Sequence, residues 1–252
     1  MKASRFAAIL VLAAASLSQG ATIISYTATS DPAGSPDGTI TAGGSGTTNV
    51  WSTSTTAPGG SFAGNSGGNG DGAGAGAGAN AWGIWSNTSG QSNAIHTLAG
   101  GALSVGQDIG LDFDNGFVDA GATVGVSLRN AANNNLFEFF FTGGNSTYSK
   151  NDLAGALSTG LGFTDDGFKF SFRLNSTSGY SASLGATAFS GSLTAGGGDQ
   201  AITNVRVFTV GNGTGGAQRD LFFNNLTITP EPSRLMLVAL GVVLVGVRRR
   251  RK

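Results

Sequence analysis

Between Phe168 and Leu174 the chain alternates strictly: Phe168, Phe170, Phe172 and Leu174 are apolar, while Lys169, Ser171 and Arg173 are polar. A period of two places the four apolar side chains on one face of an extended strand, an arrangement no helix reproduces. The same beat runs through Val124-Val126-Leu128, Val205 to Val210 and Phe222-Asn224-Leu226-Ile228. Phe137, Phe139 and Phe141 share one face while Leu136, Glu138 and Phe140 share the other, the mark of a strand central to its sheet. No stretch of the body carries apolar residues at spacings of three and four over a helical length. Asn133-Asn134-Asn135, Gly143-Gly144-Asn145 and Asp165-Asp166-Gly167 read as turns. Short strands at such intervals predict an all-β, antiparallel β-sandwich.

Composition narrows this further. The chain has 252 residues with 43 Gly and no Cys. That Gly content exceeds the usual ~7%, yet no Gly-X-Y period exists and Pro is scarce, so collagen is excluded. Without Cys there are no disulfides, thiolate metal sites or Cys nucleophiles. The zero formal charge hides segregation: residues 21–229 hold six Lys and Arg against thirteen Asp and Glu, a net −7. An acidic body without a basic stripe releases no counterions from phosphates, so no nucleic-acid partner is expected. Residues 31–80 are rich in Gly, Ser and Thr and culminate in the alternating Gly-Ala tract ending at Ala79. They read as a partly flexible loop region, because Gly costs entropy to order and offers nothing to bury.

The two ends read as addresses. Lys2 and Arg5 precede the apolar run Phe6 to Leu17, and Ser18-Gln19-Gly20 presents small residues for cleavage before Ala21. Residues 1–20 are therefore expected to be a signal peptide, a helix handed to a Sec-type export machinery and removed by signal peptidase. At the other end, Pro230-Glu231-Pro232 is followed by the uncharged residues 235–247 and then by Arg248, Arg249, Arg250, Arg251 and Lys252. Residues 235–247 are expected to form a short transmembrane helix of about 20 Å, below the ~30 Å hydrocarbon core. The terminal cations set its topology, staying cytoplasmic while the body lies outside, and their long stems extend the span by snorkelling.

This tail, residues 230–252, resembles the PEP-CTERM sorting signal of exported bacterial proteins, matching all three of its parts in order. The resemblance implies an exosortase-type membrane enzyme as partner and cleavage near Pro230, Glu231 and Pro232. It implies an inner-membrane-anchored precursor, then delivery to the cell surface or extracellular matrix of a Gram-negative-type bacterium. The run Asp112 to Asp119, with the strands that follow, is similar in texture to the jelly-roll or concanavalin-like bodies that such proteins carry.

The chemistry in the body is sparse. Glu138 is its single Glu, so the paired Glu of concanavalin-like glycoside hydrolases are missing. His96 is the only imidazole and reads as structural. Asp108, Asp112, Asp114, Asn115 and Asp119 form the densest oxygen cluster. Asp112, Asp114, Asn115 and Asp119 would serve as Ca²⁺ ligands if their oxygens converge, and otherwise as turn formers. Trp82 and Trp85 stand three apart on a strand and so face opposite sides. A surface indole there would stack on a sugar ring, whereas burial between sheets is the commoner fate of Trp. The reading that follows is a structural or adhesive matrix protein, processed at its C-terminal signal, with no catalysis and no required cofactor. The alternatives are a module binding extracellular polysaccharide, Ca²⁺-assisted or not, and a polysaccharide-active enzyme.

Overall fold

The computed structural model describes residues 24–26, 28, 51–69, 81–98, 100–213 and 216–229. The expected signal peptide 1–20, the Gly-Ala tract before residue 80 and the tail 230–252 lie outside them. Among the described residues no helix is long and apolar enough to cross a membrane.

The described chain is all-β, built as an antiparallel two-sheet sandwich. Its first strands are β1 (Ile24–Tyr26), β2 (Ser52–Thr56), β3 (Gly59–Gly64), β4 (Ala81–Ser86) and β5 (Gln91–Thr97). The middle of the chain forms β6 (Asp108–Asn115), β7 (Thr123–Arg129), β8 (Asn135–Thr142), β9 (Thr147–Asp152) and β10 (Gly155–Gly162). Then come β11 (Phe168–Leu174), β12 (Gly179–Leu184), β13 (Thr187–Ser192), β14 (Asn204–Val210) and β15 (Leu221–Thr229). One sheet has the order β13-β12-β11-β6-β15-β4-β3 with β1 paired to β15, and the other β10-β9-β8-β7-β14-β5-β2. Two meanders, β7 to β10 and β11 to β13, supply one wing of each sheet. The late strands β14 and β15 then insert centrally, between β5 and β7 and between β4 and β6.

The alternation read from the sequence sets the inner faces. Phe168, Phe170 and Phe172 point inward from β11, with Phe170 opposite Leu111 on one side and Leu184 on the other. From the facing sheet come Phe137, Phe139 and Phe141, all buried. Each such side chain contributes roughly 1.5–3 kcal/mol by leaving water. β8 lies between β7 and β9, so Glu138 and Phe140 occupy the outer face of an interior strand.

Three expectations change. First, residues 52–56 and 59–64 are not loop: β2 and β3 form the ends of the two sheets, where a Ser- and Thr-rich strand such as β2 pairs through its backbone with little apolar surface of its own. Second, Asp112, Asp114 and Asn115 belong to β6 rather than to a turn. Third, β15 does not keep one alternation throughout. Asn225 adopts φ 50°, and across it the apolar beat moves by one residue. Phe223 packs in the main core while Phe222 packs outside it, yet Leu226 and Ile228 both point inward.

The core also holds charge. Lys150 and Asp152 face inward from β9, 2.6 Å apart, and the Tyr180 hydroxyl donates to the same Asp152 oxygen at 2.5 Å. Burial works to raise the Asp152 carboxyl, but hydrogen bonds from Lys150 and Tyr180 outweigh it and hold it below its usual range. Lys150 also donates to the Ser190 carbonyl at 3.1 Å. A Cβ at Gly191 would collide with this cluster and could be fitted only by displacing it. Buried charges are tolerated when paired and hydrogen-bonded in this way.

Candidate functional site

Trp82 and Trp85 separate as strand geometry requires. Trp82 faces inward, fully buried, with its ring 5.5 Å from Trp51 and 5.7 Å from Phe223. It is a core residue and offers no surface to a sugar, which corrects half of the stacking expectation. Trp85 points to the outer face of β4 and is only half-buried.

Around Trp85 an open pocket of about 400 Å³ forms at one end of the sandwich. Phe62, from the outer face of β3, lies across Gly83 and meets Phe222 edge-on at 5.4 Å. Phe62 and Trp85 therefore give the pocket an aromatic wall. Asn87 begins the β4–β5 turn, its amide bonded to the Pro58 carbonyl at 2.8 Å. A Cβ at Gly90, which ends that turn, would strike the same carbonyl. The opposite side is lined by Gly213 and, from residues 216–220, by Gly216, Ala217, Arg219 and Asp220.

That segment is stitched in place. Asn212, 1% exposed, donates to the carbonyls of Phe117 at 3.1 Å and Arg219 at 2.9 Å, and accepts from the Asp119 amide at 3.0 Å. Phe117 and Gly116 donate their amides to the Gln218 and Asp220 carbonyls. Arg219 forks onto both oxygens of Asp119 at 2.7 and 2.9 Å and lies 5.2 Å over the Phe117 ring. That hydrogen bonding holds the Asp119 carboxyl below its usual range and pushes Arg219 up.

Asp220 is treated differently. Among the described residues its carboxylate has no hydrogen-bond or ion-pair partner, since Arg219 is committed to Asp119. Burial beside the aromatic wall pushes it up from 3.8 to about 7. Asp220 thus lines the pocket as a desolvated carboxyl without a counter-charge among the described residues.

The four residues expected around Ca²⁺ are not brought together. Asp112 accepts from Asn225 at 2.6 Å and Asp114 from Asn69 at 3.0 Å, both on the outer face of β6. Asn115 faces inward, accepting from the Tyr148 hydroxyl at 2.5 Å, and Asp119 is held by Arg219. Among the described residues no three His, Cys, Asp or Glu side chains are grouped to hold a metal ion. The strand continues through Asn115, so its period of two splays side chains that a turn would have gathered.

Glu138 accepts from Ser127 at 2.5 Å and from Asn135 at 2.8 Å, with Arg206 3.9 Å away. Arg206 donates to Asn93 at 2.7 Å and stacks on Phe208 at 4.2 Å. It is lowered to about 10 by burial and by Arg129. Glu138 is thus a paired carboxylate in a polar network on the outer sheet face. Sequence reasoning missed Asn212, Arg219 and Asp220. Their one local signal was the glycine-rich stretch around and after Asn212, which points to a turn but not to its partners.

No protein-family model matches the sequence, and no curated protein matches it. Among solved structures, a carbohydrate esterase from a Shiga toxin-encoding bacteriophage is similar at 14% identity and a TM-score of 0.48, covering 72% of this chain and 90% of that one. An alginate lyase from Pseudomonas aeruginosa is similar at 11% identity and a TM-score of 0.45, covering 60% of this chain and 83% of that one. A sialidase shows 8% identity and a TM-score of 0.47 over 61% of this chain, which spans only 16% of the sialidase's length. Such likenesses extend to the all-β architecture and carry no residue role from one chain to another.

Proposed function

We propose that this chain is an exported protein, sorted to the bacterial cell surface or extracellular matrix, whose β-sandwich body is a non-catalytic structural or adhesive unit. The observation that carries the reading is the order of parts in the tail: Pro230-Glu231-Pro232, the uncharged run 235–247, then Arg248 to Lys252. Its partners are the Sec-type export machinery, signal peptidase, an exosortase-type enzyme and, transiently, the inner membrane. The body's chemistry supports the non-catalytic part. Glu138 and Asp152 are each tied to a cation and to neutral donors or backbone, and Asp119 to both arms of Arg219, so they spend their charge on structure.

The test is sorting itself. Changing Pro230→Ala, Glu231→Ala and Pro232→Ala together leaves the apolar run intact, so membrane insertion persists while processing and release to the exterior fail. Deleting Arg248 to Lys252 has a different result, because the cations that hold the tail inside are gone. The uncut protein then leaves the membrane prematurely. Mass spectrometry of the external protein in a host with the sorting enzyme reads both outcomes. Recovery of wild-type protein outside the cell with residues 235–252 still attached would overturn the proposal.

A further inference from the structure

The geometry points to the pocket between Trp85, Phe62 and Asp220 as a binding site for a saccharide that carries a free amine, a hexosamine unit of an unacetylated or partly deacetylated polysaccharide. The choice of a saccharide rests on the surface-sorting reading above; the choice of a cationic group rests on the pocket alone.

Three features converge. The pocket, about 400 Å³, falls within the size range of ligand sites (~300–1,000 Å³) and is open enough to admit one unit of a longer chain. Its aromatic wall suits the C–H face of a pyranose ring, and the same rings attract a cation through their quadrupoles. Facing that wall, Asp220 has no partner among the described residues. The nearest cation cannot serve it: Arg219 gives both arms of its fork to Asp119, a closed and neutral pair. A ligand ammonium placed on Asp220 would restore the counter-charge that the fold withholds, while Asn87 and Arg219 line the rim for hydroxyl contacts.

The raised Asp220 carboxyl adds a signature to this binding. In weakly acidic solution it holds a proton, and an arriving ammonium stabilises the carboxylate. The carboxyl therefore gives its proton to solvent, the ammonium keeps its own, and charge balances. Binding should release up to about one proton per site.

The experiment is calorimetry on the full chain with a glucosamine trisaccharide, its N-acetylated form and a glucose trisaccharide, in two buffers of different ionisation enthalpy at about pH 6.5. The free-amine sugar is expected to bind with proton release. The N-acetylated and glucose forms are expected to bind about tenfold or more weakly, the range for losing a charge-assisted hydrogen bond. Asp220→Asn should abolish the proton release and the preference for the amine. Trp85→Ala should weaken binding of every sugar tested, and Trp85→Phe should keep part of it if the alanine variant folds poorly. Equal binding of the three sugars, or preference for the acetylated one, would overturn the assignment of the amine. No binding by a folded full chain would overturn the site. Neither outcome touches the sorting proposal, which is read from processing of the tail.

Discussion

Replacing Phe137 by Ala is expected to cost about 3–5 kcal/mol, the range for emptying a fully buried Phe. Phe137 is 0% exposed and stands where the two sheets meet. Its ring centre lies 6.1 Å from Phe170, 5.3 Å from Phe172, 4.9 Å from Tyr180 and 6.3 Å from Phe189. All four belong to the opposite sheet, so truncation removes a contact between the two layers and leaves a cavity bounded by rigid rings. Rigid walls collapse poorly, which places the expected loss toward the upper end. For a domain of about 200 residues the melting temperature should fall by roughly 6–20 °C. Phe140→Ala is the control: it lies on the same strand, faces outward and is half-buried, so it should cost less than half as much. Equal losses at the two positions would mean that β8 does not present its odd-numbered face to the core.

The second large effect is a pair of opposed pH dependences. His96 is 0% exposed, its ring 5.3 Å from Trp51, and burial lowers it from 6.5 to about 4. The unfolded chain therefore binds a proton below pH 6.5 that the folded one refuses until about pH 4. Stability from this group is complete above 6.5 and is lost as pH falls toward 4, by about 3 kcal/mol in total. Asp220 works the other way. Folding raises its carboxyl from 3.8 to about 7, so its stability is complete below 3.8 and is lost as pH rises toward 7. Being half-buried and partly screened, it contributes less, on the order of 2 kcal/mol. Between about pH 4.5 and 7 the two oppose each other, so acidification should cost the wild type only about 1 kcal/mol. Urea midpoints should then diverge in the variants. His96→Met should grow more stable on acidification, and Asp220→Asn should grow less stable. As His96 is the only His in the chain, no other imidazole confuses the comparison. Parallel profiles in wild type and both variants would refute the buried environments assigned to these groups.

Asp220 is also where stability and recognition part company. At neutral pH its desolvated carboxyl weakens the fold, and Asp220→Asn should be the more stable protein. Surplus instability at a pocket residue is the expected signature of a site kept for a ligand.

Much of this was written locally. Side chains on a strand alternate whatever the strand's neighbours are, so Phe168 to Leu174, Phe137 to Phe141 and the opposed pair Trp82 and Trp85 could be assigned to faces from spacing alone. The tail from Pro230 to Lys252, on which the sorting proposal rests, is equally local, three chemistries in fixed order along a line. What no local pattern could show is which strands become neighbours. β14 and β15 come late in the chain but pair centrally, and that insertion carries residues 216–220 up to Trp85 and Asn87. It also sets Arg219 against Asp119, a hundred residues away, and so leaves Asp220 without a cation. The change of beat at Asn225 and the strands β2 and β3 were hidden for a related reason. A single φ near 50° moves the apolar beat by one residue, and a strand of Ser, Thr and Gly is held by the backbone bonds its neighbour offers, not by its own side chains. Periodicity belongs to each strand and is legible in sequence; register and adjacency are properties of pairs, and only folding chooses the pairs.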